Sequence, residues 1–135
     1  IHNTFGAYFQ QGRTWFSGYK NENGVTLYER VLQESKTWKN SEQLMYVVGA
    51  TRPEYFKKIR NIVPNSFLLV PGVGAQGGSL QEVCKYGLND EIGLLINSSR
   101  GIIYASSDKD FAASARERSM ELQKEMSTIL FEKGL

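Results

Sequence analysis

Apolar positions along this chain fall into three short runs that carry no charge: Met45-Tyr46-Val47-Val48-Gly49-Ala50, Ser66-Phe67-Leu68-Leu69-Val70 and Ile92-Gly93-Leu94-Leu95-Ile96-Asn97. Runs of this length, bounded by turn residues, read as strands buried on both faces. Elsewhere the apolar positions recur at helical spacing. From Thr26 to Trp38, Leu27, Tyr28, Val31, Leu32 and Trp38 share one face while Glu29, Arg30, Glu34 and Lys36 lie on others. A second helix carries Tyr55, Phe56, Ile59 and Ile62 inward and stops near Pro64-Asn65. A third runs from Ser79 to about Tyr86, with Gly87 as its C-cap. A long last helix starts from Ser107-Asp108-Lys109-Asp110 and puts Phe111, Ala115, Leu122, Met126 and Ile129 on one face, its methionines filling core. Its charges, Glu117-Arg118, Glu121 and Lys124-Glu125, form a solvated face.

Local signals sharpen two of these starts. Thr51-Arg52-Pro53-Glu54 and Ser79-Leu80-Gln81-Glu82 both have capping-box spacing, in which a hydroxyl accepts a backbone amide and a carboxylate reaches back. Three successive units of uncharged strand, turn and capped helix predict parallel strands joined by helical crossovers. Residues 3–24 are polar and dotted with glycine, yet Phe5, Tyr8, Phe9, Trp15, Phe16 and Tyr19 keep them from being a disordered linker. They read as a long, partly packed surface loop. The start, Ile1-His2-Asn3-Thr4-Phe5, lacks an initiator Met, and the chain is expected to be a fragment, a processed chain or one piece of a larger polypeptide.

The 135 residues suffice for a single domain. A formal charge of +2, with no basic cluster interleaved with aromatics, argues against nucleic acid. No run approaches the ~20 apolar residues of a membrane span. The single cysteine, Cys84, cannot build a disulfide framework and fits a reducing cytosol. As a nucleophile it has no partner, since the only histidine is His2; a packed thiol is expected. No metal-ligand cluster is seen.

The chemistry concentrates at Pro71-Gly72-Val73-Gly74-Ala75-Gln76-Gly77-Gly78, between an uncharged strand and a capped helix. Glycines let the backbone approach a ligand, and a row of unpaired N–H groups aimed at one point favours an anion, naturally a phosphate. Gly72 to Gly77 also satisfies the dinucleotide pattern G-x-G-x-x-G. That fingerprint expects an acidic residue ~20 positions on, near the end of the next strand. Here that strand ends in Asn97. A (β/α)8 barrel fits better, because such barrels hold phosphate between the loops after their last two strands and a short extra helix. The second loop is then Ser98-Ser99-Arg100-Gly101, whose guanidinium offers a planar fork to phosphate.

Val47-Val48-Gly49-Ala50-Thr51, the stretch from Pro71 to Gly78, and Asn97-Ser98-Ser99-Arg100-Gly101-Ile102-Ile103-Tyr104 together resemble orotidine 5′-phosphate decarboxylase, in the branch found in many bacteria. The likeness runs from about Asn23 to Met126, and Gly6-Ala7-Tyr8-Phe9-Gln10 is similar to a family loop after the fifth barrel strand. The resemblance implies an α/β fold in which the whole chain, residues 1–135, is one partial domain. That domain is roughly the C-terminal half of a (β/α)8 TIM barrel: three complete βα units after a loop and a helix. It also implies roles. Gln76 would bridge phosphate and pyrimidine from a mobile loop, with Gly77 and Gly78 letting that loop close. Arg100, with the amides of Ser99 and Arg100, would hold the phosphate, and Pro71 and Val73 would line the pocket near the base. The implied reaction is loss of carbon dioxide from orotidine 5′-phosphate to give uridine 5′-phosphate, in the cytoplasm, with no cofactor or metal. The expected partners are the missing N-terminal half of the barrel and a second copy, as a homodimer, when complete. Family members also use an Asp-x-Lys-x-x-Asp motif and another lysine. The motif is missing here, since Asp108-Lys109-Asp110 lacks the spacing, so no catalytic residue is assigned to this chain. A non-catalytic nucleotide-binding half-barrel and a barrel enzyme for another sugar phosphate are the alternatives.

Overall fold

A computed structural model describes residues 22–74 and 76–135. Of the expected loop over residues 3–24, only the turn at its end falls among these, with Gly24 in the left-handed region at φ 76°. The rest of it, including Gly6 to Gln10, lies outside the described residues.

The elements follow the expected order. They are α1 (Leu27–Ser35), a 3-10 turn (Ser41–Gln43), β1 (Tyr46–Val47), α2 (Glu54–Ile62), β2 (Leu68–Pro71), α3 (Leu80–Gly87), β3 (Leu94–Asn97), α4 (Ser99–Ile103) and α5 (Phe111–Lys133). The strands form one parallel sheet in the order β1-β2-β3, with Val47 opposite Leu69 and Leu69 opposite Leu95. Parallel neighbours require crossovers, and α2 and α3 supply them. Both helices lie on one face of the sheet. Leu68, Val70 and Leu94 on that face are buried against Phe56, Ile59, Leu80, Val83 and Cys84. The α1 helix closes the same layer through Tyr28 and Leu32, and its buried Ser35 shares a 2.8 Å hydrogen bond with the Tyr46 hydroxyl.

The opposite face is open. Side chains alternate along a strand, so Met45, Val47, Phe67, Leu69 and Leu95 share it. Met45, Phe67 and Leu95 are 46%, 40% and 44% exposed, where burial on both faces was expected. A parallel sheet is ordinarily covered on both sides, so this apolar face is half of a contact.

Several local expectations are revised. Thr51 caps nothing: α2 begins at Glu54 with Pro53 as its N-cap, so the Thr51–Glu54 spacing falls two residues early. Gly87 is not a left-handed cap, because α3 contains it and Leu88 follows as C-cap. Glycine is needed there for space, since a Cβ at Gly87 would lie 2.8 Å from the Phe56 ring. Ile92 and Gly93 precede the strand in a left-handed turn at φ 70° and 61°. Trp38, Phe111 and Met120 are exposed, whereas Leu122, Met126 and Ile129 do pack on the core. Among the described residues no helix is long and apolar enough to cross a membrane.

Candidate functional site

Both ligand-type loops leave the C-terminal ends of adjacent strands, β2 and β3, so the sheet itself brings them side by side. Pro71 and Asn97, the last residues of those strands, are register partners. Pro71 is half-buried, and Val73, just beyond it, is buried.

The glycine loop is folded on itself. Gly72, Gly74 and Gly77 take positive φ of 92°, 79° and 84°, which other residues adopt only with strain. That geometry lets the Gly74 amide donate to the Gly78 carbonyl, the Gly77 amide to Gly74 and the Gly78 amide to Gly72. The expected row of unpaired amides is therefore shorter than the glycine count suggests, because three of its donors close the loop. Gly78 has a packing reason rather than a purely conformational one. A Cβ there would sit 2.4 Å from the Ala50 Cβ and 2.6 Å from the Gly72 carbonyl oxygen, so the loop rests directly on the end of the β1 segment. The exposed Gln76 side chain folds back over Gly72, where a Cβ would meet its Cβ, Cδ and Oε1 at 3.7, 3.8 and 3.9 Å.

Helix α3 then starts as expected in half of its capping box. The Ser79 hydroxyl accepts from the Glu82 amide at 3.3 Å. The same hydroxyl donates to the Gln81 side chain, and Gln81 in turn bonds Glu125 on α5, which pins the terminal helix beside the loop.

After β3 the chain enters α4 at Ser99, within the motif expected to be a turn, so the short extra helix begins at the candidate phosphate residues themselves. The Ser99 hydroxyl donates to the Asn97 side chain at 2.7 Å. Arg100 lies exposed in the first turn of α4, and its guanidinium makes no ion pair or hydrogen bond among the described residues. Its fork of donors is open to a ligand. One contact joins the two loops: the Ser98 hydroxyl donates to the Val73 carbonyl at 3.0 Å. Reasoning from sequence placed Ser98 inside the motif and assigned it nothing, because only the fold shows that its partner lies 25 positions back.

Cys84 is buried as a packed thiol. Desolvation pushes it above the ordinary thiol range, away from nucleophilic use.

No protein-family model matches the chain. It is 67% identical over 110 residues to the orotidine 5′-phosphate decarboxylase of Flavobacterium johnsoniae, an alignment spanning 82% of this chain and 40% of that protein. The chain resembles part of an orotidine 5′-phosphate decarboxylase. The Bacteroides fragilis orotidine 5′-phosphate decarboxylase is 58% identical over 108 residues, covering 80% of this chain and 39% of the relative. Among solved structures, the Leishmania donovani OMP decarboxylase superposes with a TM-score of 0.63 at 36% identity, over 79% of this chain and 40% of that one. The Leishmania donovani UMP synthase gives 0.65 at 34% identity, over 84% of this chain and 26% of that one. The parallel three-stranded unit is thus an α/β fragment that matches part of these TIM-barrel structures, and the chain spans about 40% of the length of these two curated relatives.

Proposed function

We propose that this chain supplies the phosphate-binding part of an orotidine 5′-phosphate decarboxylase, and that the whole enzyme converts orotidine 5′-phosphate to uridine 5′-phosphate. One observation carries the reading: an exposed Arg100, unpaired among the described residues, stands in the first turn of α4 beside a self-closed glycine loop, at the C-terminal ends of adjacent parallel strands. Barrel enzymes put their chemistry at this end. In this reading Arg100 and the amides of Ser99 and Arg100 grip the phosphate, and Gln76 reaches from the phosphate to the base. Pro71 and Val73 line the base, while Gly77 gives the loop its freedom to close. Binding energy gathered at the remote phosphate is spent on closing the site and straining the reacting end. The bond from ring carbon to carboxylate breaks, and the electron pair left behind takes a proton from a lysine. That lysine and the paired carboxylates belong to the rest of the barrel, because the Asp-x-Lys-x-x-Asp spacing does not occur in this chain. No metal or organic cofactor takes part in this scheme. The complete enzyme is read as a cytoplasmic homodimer, and a monomer in sedimentation would count against that.

The test is Arg100→Ala in the whole enzyme. We expect kcat/KM to fall by on the order of 2–4 kcal/mol in transition-state stabilisation, as for a lost charge-assisted contact, with little change in melting temperature. An unchanged kcat/KM removes Arg100 from the site. The missing motif also supports a second reading, a nucleotide-binding module without catalysis. Assaying decarboxylation with this chain alone, and then with the remainder of the barrel, separates the two: turnover only in the second case supports the enzyme.

A further inference from the structure

Ser98 occupies the N-cap position of α4, where a serine hydroxyl ordinarily accepts an amide of its own helix. Here it makes no such cap. The hydroxyl turns away and donates to the Val73 carbonyl, one residue beyond the tight start of the glycine loop, at 3.0 Å. The space for it is set by two glycines. A Cβ on Gly101 would lie 2.9 Å from the Ser98 oxygen, too close to be kept, and one on Gly74 would lie at 3.5 Å, in ordinary contact. The oxygen therefore sits between the two loops, with a glycine on either side. Among the described residues no other hydrogen bond joins the loop after β2 to the loop after β3. We propose that Ser98 is a positioning residue: its bond to Val73 fixes the spacing between the Gln76 loop and the Arg100 turn, so that both reach one phosphate. The proposal rests on the phosphate-grip reading above.

The experiment uses the complete enzyme and titrates uridine 5′-phosphate, with uridine alongside as the ligand lacking phosphate. Ser98→Ala removes one neutral hydrogen bond and should weaken uridine 5′-phosphate about three- to tenfold. Uridine should bind as before. Gly101→Ala favours the helix by propensity, yet its methyl displaces the Ser98 oxygen, so it should weaken the nucleotide similarly while the fold is no less stable. Because both changes act through one oxygen, the double variant should bind no worse than either single one. Nucleotide affinity within about twofold of wild type for Ser98→Ala overturns the proposal, as does an equal loss for uridine or additive losses in the double variant. Arg100→Ala in the same titration keeps the two ideas apart. If it binds the nucleotide normally, the phosphate-grip reading fails and takes Ser98 with it. If it weakens binding and Ser98→Ala does not, Ser98 alone is wrong.

Discussion

Arg60 shows how much one side chain can tie together. From α2 it donates through Nε to the Gly87 carbonyl at the end of α3, through Nη1 to Ser66 before β2 at 2.6 Å, and through Nη2 to Gly93 before β3 at 2.7 Å. Burial lowers it to about 10, which leaves it cationic at neutral pH. Charge-assisted bonds of this kind contribute about 1.5–3 kcal/mol each, but they share one ordered side chain and one desolvation cost. Arg60→Ala should therefore cost roughly 3 kcal/mol in urea denaturation of the whole protein, and Arg60→Lys should recover little, since an ammonium cannot span three carbonyls. None of this was readable in the sequence, where the acceptors at Gly87 and Gly93 stand 27 and 33 positions away and are backbone groups that carry no signature. Tyr28 offers a second test. Its ring packs edge-on against Tyr55 at 5.5 Å, and desolvation, aided by the charge of Glu29, raises its phenol to about 12. The folded state then holds a proton that the unfolded chain releases near 10. Tyr28 thus contributes stability fully below pH 10 and loses it as pH rises towards about 12. The difference in unfolding free energy between wild type and Tyr28→Phe, followed across that window, should show this downward slope; a flat difference would contradict it.

At the scale of elements, the uncharged runs and the helical spacing were enough to name each strand–turn–helix unit, because burial on a parallel sheet and on a helix face leaves those two periods in the residues. What escaped were contacts that decide individual glycines and boundaries. Gly87 looked like a cap and is a gap for Phe56. The Ser98–Gly101 stretch looked like a turn and opens a helix. Gly78 was read as a source of loop freedom, whereas the structure gives it a seat on Ala50. That last difference is testable. A methyl at Gly78 would fall 2.4 Å from the Ala50 Cβ and 2.6 Å from a backbone oxygen, neither of which can swing aside. Gly78→Ala should destabilise by on the order of 1–3 kcal/mol, as overpacking does, and should weaken nucleotide binding along with it. A Cβ at Gly77 would meet nothing within 4 Å, so Gly77→Ala should cost only the strain of a left-handed alanine, about 1 kcal/mol. Thermal unfolding of both variants in the complete protein would show whether the order of severity holds.

Across the whole molecule, the two ends of the sheet divide the labour. The Arg60 bonds gather at the N-terminal ends of the strands, and the ligand-type loops leave the C-terminal ends, the division of stability from chemistry that barrels follow. The two faces are not equivalent either. One is sealed by α1, α2 and α3, and the other leaves Met45, Phe67 and Leu95 about half in water. In a parallel barrel that second face is interior, packed by side chains from strands around the ring. Exposed apolar area of this sort, with a two-residue edge strand in β1, drives association. The chain by itself should sediment as a concentration-dependent mixture and bind an apolar dye such as ANS. Adding the rest of the barrel should abolish both, because the same side chains would then be buried. A chain that stays monomeric alone and binds no dye would show that its open face needs no cover, and the half-barrel account of this fold would fail with it.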